Sequence, residues 1–295
     1  MVIAVTGASG LLAQGILVEL GKLRAHGERL VACSRDTKRT GLDSRYFDEA
    51  RRVDFADFTS MLAAFRGVDT LVLVSIEGPD EERIELHRNA VQVAAQMGVK
   101  RIVYTSFFDV DPASPSMVAR VHRETEHAII ASGCRWVMLR NGPYIDNIAR
   151  RMADAARHEA AFRMSAGNAR LPFISRADLA VAAANAAADQ NDQSGNVAYR
   201  LSGQALLSCN EVADLVANVT GLPVRYEAVD DAAHARDLAD QGLAPDLISR
   251  RIAYASAMRG GFMTALTSDF CRLTGRDPHR IADIIDTLDL SPGAH

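Results

Sequence analysis

Two glycines near the start of the chain are spaced to hold a phosphate group. Gly7 and Gly10 follow the apolar run 2–5, and an apolar helical pattern begins directly after them. Glycine lets the backbone turn sharply and approach a ligand, and the first N–H groups of a helix attract anions. With Ala13 three residues further on, this spacing predicts a site for a dinucleotide diphosphate, although a purely structural turn is the alternative. The residues predicted to contact the cofactor here are Gly7, Ser9, Gly10, Leu11 and Leu12.

The second apolar run ends in basic residues that favour one nucleotide over another. Arg35 and Lys38 follow the predicted strand 29–33, where the adenosine ribose of a dinucleotide would lie. An arginine there pairs with the 2′-phosphate of NADP, whereas an acidic residue binds the ribose hydroxyls of NAD. We therefore predict that NADP(H) is favoured, with NAD(H) as a second option because Asp36 adds a carboxylate. A solvated basic loop is the alternative interpretation.

Further candidate residues follow the next three predicted strands. Asp54 and the backbone of Phe55 would meet the adenine, Ser75 and Ile76 would lie on the nicotinamide side, and Thr105 would bring a hydroxyl near the reacting ring. Because the carboxyl ends of parallel strands share one edge of a sheet, all five would face the same ligand. An ordinary turn role for Asp54 and a strand-end hydrogen bond for Thr105 are equally open.

Strands and helices alternate over the first half of the chain. Helical patterns separate the apolar runs and end at Gly67, Gly98 and Gly133. The order is typical of a doubly wound, Rossmann-type parallel sheet in an α/β fold. Residues 1–142 are therefore predicted to form the NAD(P)-binding domain, and residues 143–295 a smaller α+β substrate portion. The boundary is expected to be soft, with segments that cross over.

The composition excludes several classes of protein. The 295 residues carry a formal net charge of −4, which gives no reason to expect nucleic acid or an anionic membrane as a partner. The four cysteines lie far apart, so neither a metal site nor a disulfide framework is predicted. No run approaches the roughly 18 apolar residues of a membrane span, and no signal pattern follows Met1. We expect a cytoplasmic protein, monomeric or homodimeric, that acts on a small molecule.

Three motifs carry a resemblance to a known family. They are Tyr104-Thr105-Ser106, His122-x-x-x-Glu126 and Leu139-Arg140-Asn141-Gly142-Pro143-Tyr144. With the opening turn, they make the chain resemble the NmrA-like atypical short-chain dehydrogenase/reductases. Within these, it is most similar to the bacterial group of NADPH-dependent quinone and triphenylmethane reductases. The resemblance implies a Rossmann-type domain, an NADP(H) cofactor and hydride transfer to a quinone or conjugated aromatic acceptor.

The resemblance also exposes a gap. Ordinary members of the wider superfamily use Tyr-x-x-x-Lys on the helix after the fifth strand, where the ammonium lowers the phenol pKa. The matching positions here are Val118 and His122, so the catalytic tyrosine is missing. His122 could hold the nicotinamide ribose in place of the lysine, with Glu126 orienting it. A His–Glu pair on a half-exposed helix face is the alternative.

Residues after the sixth strand are candidates for the reacting end of the site. The backbone of Asn141 and Gly142 could bind the nicotinamide carboxamide, and Tyr144 could stack on an aromatic acceptor or donate to a quinone oxygen. Tyr144 as a hydrophobic lid residue is the alternative. No charged clamp is evident in the second half, so we predict an apolar acceptor cleft. Its candidate lining residues are Phe107, Phe108, Met117, Phe162, Met164, Phe173 and Phe262.

Two functions follow from these residues. The first is an NADPH-dependent reductase of quinones or polycyclic aromatic compounds, with His122 and Tyr144 as the catalytic candidates. The second is a non-catalytic protein that senses NADP(H) and regulates a partner. Loss of the Tyr-x-x-x-Lys pair is compatible with both.

Overall fold

The computed structural model describes residues 1–39, 44–189 and 195–291. A seven-stranded parallel sheet forms its centre, in the order β3-β2-β1-β4-β5-β6-β9. The strands, in chain order, are β1 Val2–Val5, β2 Arg29–Ser34, β3 Glu49–Arg52, β4 Thr70–Leu73, β5 Arg101–Phe107, β6 Arg135–Asn141, β7 Phe162–Met164, β8 Arg170–Leu171, β9 Val197–Leu201, β10 Leu207–Ser208 and β11 Tyr226–Ala228. The four short strands outside the sheet pair as β8 with β10 and β7 with β11.

Helices cover both faces of the sheet. They are α1 Leu11–Leu23, α2 Phe58–Ala64, α3 Asp80–Gln96, α4 Met117–Ala131, α5 Ile145–Arg157, α6 Arg176–Ala188, α7 Cys209–Thr220, α8 Asp231–Asp240, α9 Pro245–Arg259, α10 Asp269–Thr274 and α11 Ile281–Ile285. Side chains alternate across β1, so Ile3 and Val5 pack with α1 and α6, and Ala4 packs with α2, α3 and α4. The predicted Rossmann-type α/β fold is confirmed.

The second half of the chain contributes to both parts of the molecule. Strand β9 completes the central sheet beside β6, and α6 packs closely on α1, where a Cβ on Gly15 would lie 3.0 Å from the Cβ of Ala180. A separate apolar core joins α5, α7, α9 and α11 with the short strands and with Phe108, just beyond β5. The division at residue 142 stays a prediction.

The helices of the described ranges are too short or too polar for any one of them to cross a bilayer. The predicted cytoplasmic location and the predicted monomer or homodimer stay predictions.

Candidate active site

The glycine turn has the geometry that a diphosphate requires. Gly7 has φ +67°, in the left-handed region that favours glycine, and its carbonyl accepts from the N–H of Gly10 at 2.8 Å. A Cβ on Gly10 would lie 3.3 Å from that carbonyl. Helix α1 then begins at Leu11 without a side-chain cap and without an acidic residue in its first turn. Ser9 and Leu11 are exposed, so an anion can reach the helix end.

The loop after β2 leaves two cations for a phosphate. Arg35 and Lys38 are exposed, and neither forms an ion pair within the described part of the chain. The carboxylate of Asp36 accepts from the backbone N–H of Lys38 at 2.9 Å, and Ser34 donates to the carbonyl of Asp36 at 2.8 Å. Asp36 therefore acts in the local turn, which weakens the argument for NAD(H).

Asp54 and Phe55 have local structural roles. The carboxylate of Asp54 accepts from the N–H of Ala56 at 3.1 Å, as in an ordinary turn. The Phe55 side chain is buried in the core, with its ring centroid 6.5 Å from that of His87. Contact of Asp54 and of the Phe55 backbone with adenine stays a prediction.

Side chains from three elements fix the segment after β4. The backbone N–H of Val74 donates to Thr6 Oγ1 at 2.9 Å, and the N–H of Ser75 donates to Thr105 Oγ1 at 2.9 Å. The N–H of Ile76 donates to His87 Nε2 at 3.1 Å. Thr105 is thus a strand-end brace, the alternative kept open above. Ser75 and Ile76 are half-buried at the carboxyl edge of the sheet, and both of their backbone N–H groups are bonded within the protein.

The bracing histidine has one tautomer. A backbone N–H can only donate, so Nε2 of His87 is the acceptor, and Nδ1–H donates to Thr125 Oγ1 at 3.0 Å. Thr125 in turn donates to the carbonyl of Val121 at 2.9 Å. Burial, with a smaller contribution from Arg83, lowers the pKa of His87 to about 3, so the ring is neutral at pH 7.

His122 lies in the interior beneath the same edge. It is 5% exposed, and its Nδ1 lies 2.8 Å from the hydroxyl of Tyr104. Burial holds the pKa of His122 well below the ordinary value, and the nearby Arg83 and His87 lower it further. A neutral His122 can hydrogen-bond a ribose, but it does not carry the positive charge that a lysine would.

Glu126 does not orient His122. Its carboxylate accepts from Ser106 Oγ at 2.6 Å and from the guanidinium of Arg140 at 2.7 and 3.0 Å. These bonds tie α4 to β5 and β6. Tyr104, which the sequence placed only within a motif, is the residue that holds the His122 ring.

Gly142 serves packing. Its backbone N–H donates to the carbonyl of Leu201 at 2.9 Å, and a Cβ would lie 2.8 Å from that oxygen and 3.0 Å from the carbonyl of Pro172. The Gly142 N–H thus has a partner within the protein, and contact of the Asn141 and Gly142 backbone with the carboxamide stays a prediction. The Asn141 side-chain amide donates to the Tyr144 hydroxyl at 3.1 Å, while its Oδ1 is buried and has no partner among the described residues.

A cavity of about 260 Å³ opens beside Tyr144, between α5 and α9. Val118, which the sequence analysis matches to the catalytic tyrosine of the wider superfamily, lies in its wall with Tyr144 and Tyr254. Of the predicted cleft residues, only Met164 and Phe173 line it. Burial raises the pKa of Tyr144 to about 12 and raises that of Tyr254 as well, so both phenols stay protonated.

The wall of this cavity is more charged than predicted. Arg151, Arg250 and Arg251 line it together with His234. Arg250 donates to the carbonyl of Gly78 at 2.9 Å and pairs with Asp80 at 3.0 Å, which ties α9 to the segment between β4 and α3. Charged side chains therefore line this cavity, where the sequence predicted apolar ones.

Comparisons with known proteins agree with this architecture. The model of the NmrA-like family matches residues 1–265. Quinone oxidoreductase 2 of Escherichia coli K12 is 30% identical over 97% of this chain and 98% of its own length. A solved Escherichia coli NADPH-dependent quinone oxidoreductase, complexed with NADPH, is 27% identical with a TM-score of 0.86 and covers 96% of this chain and 98% of its own. A Citrobacter triphenylmethane reductase complexed with NADP(H) is 26% identical with a TM-score of 0.84, at the same coverage.

Proposed function

This chain belongs to the NmrA-like family, and we propose that it is an NADPH-dependent reductase of a quinone or polycyclic aromatic acceptor that works without a Tyr-x-x-x-Lys relay. The coarser predictions, an NAD(P)H-dependent oxidoreductase that favours NADP(H), are confirmed by the named relatives. One observation carries the finer proposal. The cavity places Val118 beside two aromatic walls, Tyr144 and Tyr254, which suit a flat acceptor.

The residues of this chain fit three parts of the cofactor: the diphosphate, the 2′-phosphate and the nicotinamide end. The glycine turn and the start of α1 would hold the diphosphate, and Arg35 with Lys38 would hold the 2′-phosphate. The braced segment Ser75–Ile76 and the neutral His122 would position the nicotinamide end. The buried, unpartnered Oδ1 of Asn141 is a further acceptor at this end. When bound, the reduced cofactor supplies a hydride.

Positioning accounts for most of the catalysis that we propose. The aromatic wall would hold the acceptor face to face with the donor. A reduced quinone oxygen is a stable anion, so it needs no strong acid and can take its proton from water. Tyr144, protonated and held by Asn141, can also donate a hydrogen bond to that oxygen.

The test is to follow NADPH absorbance with benzoquinones, naphthoquinones and polycyclic quinones. We expect acceptor-dependent oxidation of NADPH by the wild type and none above background with Gly10→Asp, a variant designed to lose the cofactor. Tight NADPH binding without turnover of any acceptor would refute the reductase and favour the sensor.

Arg35→Ala is expected to raise the Kd for NADPH about tenfold and to leave the Kd for NADH nearly unchanged. Only NADPH carries the 2′-phosphate that Arg35 would bind. Isothermal titration calorimetry with both nucleotides measures this. Arg66→Ala, which removes another exposed arginine at the end of α2, is the matched control. An equal change for both nucleotides in Arg35→Ala would remove Arg35 from the 2′-phosphate site.

A further inference from the structure

Two solvent-exposed arginines line the acceptor cavity. Arg151 comes from α5 and Arg251 from α9, and both line the cavity. Neither forms an ion pair within the described ranges, whereas the neighbouring Arg250 is paired with Asp80. The guanidinium of Arg151 lies over the ring of Phe162, with its Cζ 5.0 Å from the centroid, so the side chain has a defined place.

The two cations affect each other. Burial, then repulsion from Arg251, lowers the pKa of Arg151 to about 10, which leaves it positively charged at neutral pH. Both residues are exposed, so water screens part of their repulsion. A bound anion between them would remove that repulsion and form charge-assisted hydrogen bonds.

A neutral donor stands beside the pair. His234 is buried and lines the same cavity, and its Nδ1 accepts from the backbone N–H of Ser165 at 3.3 Å. Burial lowers the pKa of His234 most, and Arg151 lowers it further, so the ring is neutral. Because Nδ1 accepts the bond from Ser165, the proton of the neutral ring is on Nε2. His234 can therefore donate one more hydrogen bond to an anion without adding a third charge.

Carboxylates also lie near Arg151, in an adjoining cleft. Arg151 and His234 also line an adjoining cleft of about 600 Å³, which includes Asp154 and Asp237. Asp154 is bound by Arg157 at 2.6 Å, and Asp237 by Arg163 at 2.9 Å. Asp154 and Asp237 thus have their own partners, and the third carboxylate of this cleft, Asp240, is exposed to solvent.

We propose that Arg151 and Arg251 bind an anionic substituent of the aromatic acceptor, a carboxylate, sulfonate or phosphate group. The aromatic part of the acceptor would lie against Tyr144 and Tyr254, and the anionic group would lie between the two guanidinium groups. This inference rests on the proposed function for the identity of the acceptor, but the anion site itself is testable without turnover.

The primary experiment is a binding measurement with a probe that cannot be reduced. Calorimetry with 2-naphthalenesulfonate and with neutral 2-naphthol compares the same ring system with and without the charge. We expect the wild type to prefer the sulfonate, and Arg151→Gln and Arg251→Gln each to weaken sulfonate binding about tenfold with little effect on naphthol. Arg236→Gln, an exposed arginine on α8 outside both cavities, should bind both probes as the wild type does.

A charge-conserving variant and thermal melting test whether the charge itself, and not a loss of folding, explains the change in binding. Arg151→Lys keeps the charge and should keep most of the preference, and thermal melting shows that each variant is folded. A wild type that binds both probes alike, or an undiminished preference in the glutamine variants, would overturn the inference. If the sulfonate preference is present but no quinone oxidises NADPH, the proposed reductase fails and the anion site stands.

Discussion

Gly10→Asp is expected to raise the Kd for NADPH about 100-fold without destabilising the protein, because the carboxylate would occupy the anion site itself. Gly10 is the N-cap of α1, with φ −92° and ψ 150°, an extended conformation that aspartate adopts readily. An N-cap aspartate accepts hydrogen bonds from the first N–H groups of the helix and stabilises it. The same groups are those that would bind the diphosphate.

Gly10→Asn is the matched control, since it adds a side chain of the same size without the charge. Its Cβ meets the carbonyl of Gly7 in the same way, at 3.3 Å. We expect a clearly smaller loss of NADPH affinity in Gly10→Asn, by calorimetry, and melting temperatures at or above that of the wild type for both variants. Equal affinity of the aspartate variant and the wild type would show that the diphosphate lies elsewhere.

Local patterns predict the first half of the fold well. Five of these six strands, β1, β2, β4, β5 and β6, contain short apolar runs, and each helix between the strands ends near a glycine. Strand β3, Glu49–Arg52, is charged and does not follow this pattern. Helices α8, α10 and α11 were not predicted. They are short and polar on their exposed sides, and packing on α9, α6 and α5 stabilises them.

The site shows the same division between local and long-range signals. The glycine turn is contiguous in the chain, so its geometry follows from its own residues. The brace around Ser75 and Ile76 is made by Thr105, 30 residues away, and His87, 11 residues away. The charged wall of the cavity joins Arg151 on α5 to Arg251 on α9, about 100 positions later in the sequence, and no spacing rule brings such residues together.

The role of Gly142 cannot be read from the sequence for a related reason. A glycine at a strand end in a nucleotide-binding fold can serve a ligand or a neighbouring backbone, and the sequence does not distinguish them. The structure places backbone carbonyls of Leu201 and Pro172 on the side where a Cβ would lie. The requirement for glycine comes from the return of the chain to β9.

Gly142→Ala is therefore expected to lower the free energy of unfolding by about 3 kcal/mol, because backbone oxygens 2.8 and 3.0 Å from the new Cβ have little room to move. Urea denaturation measures this change. Gly133→Ala adds the same methyl group in open space, at φ +78°, and should cost about 1 kcal/mol through the backbone alone.

The two possible roles of Gly142 predict different pairs of measurements. If packing requires the glycine, the population of Gly142→Ala that remains folded binds NADPH nearly as well as the wild type, and only the stability falls. If the cofactor requires the glycine, the variant has the same urea midpoint of unfolding as the wild type but loses NADPH affinity. The N–H of Gly142 is bonded to Leu201 at 2.9 Å within the sheet connection, and replacing glycine by alanine leaves that donor in place. The stability measurement, and not the binding measurement, is therefore the one that we expect to change.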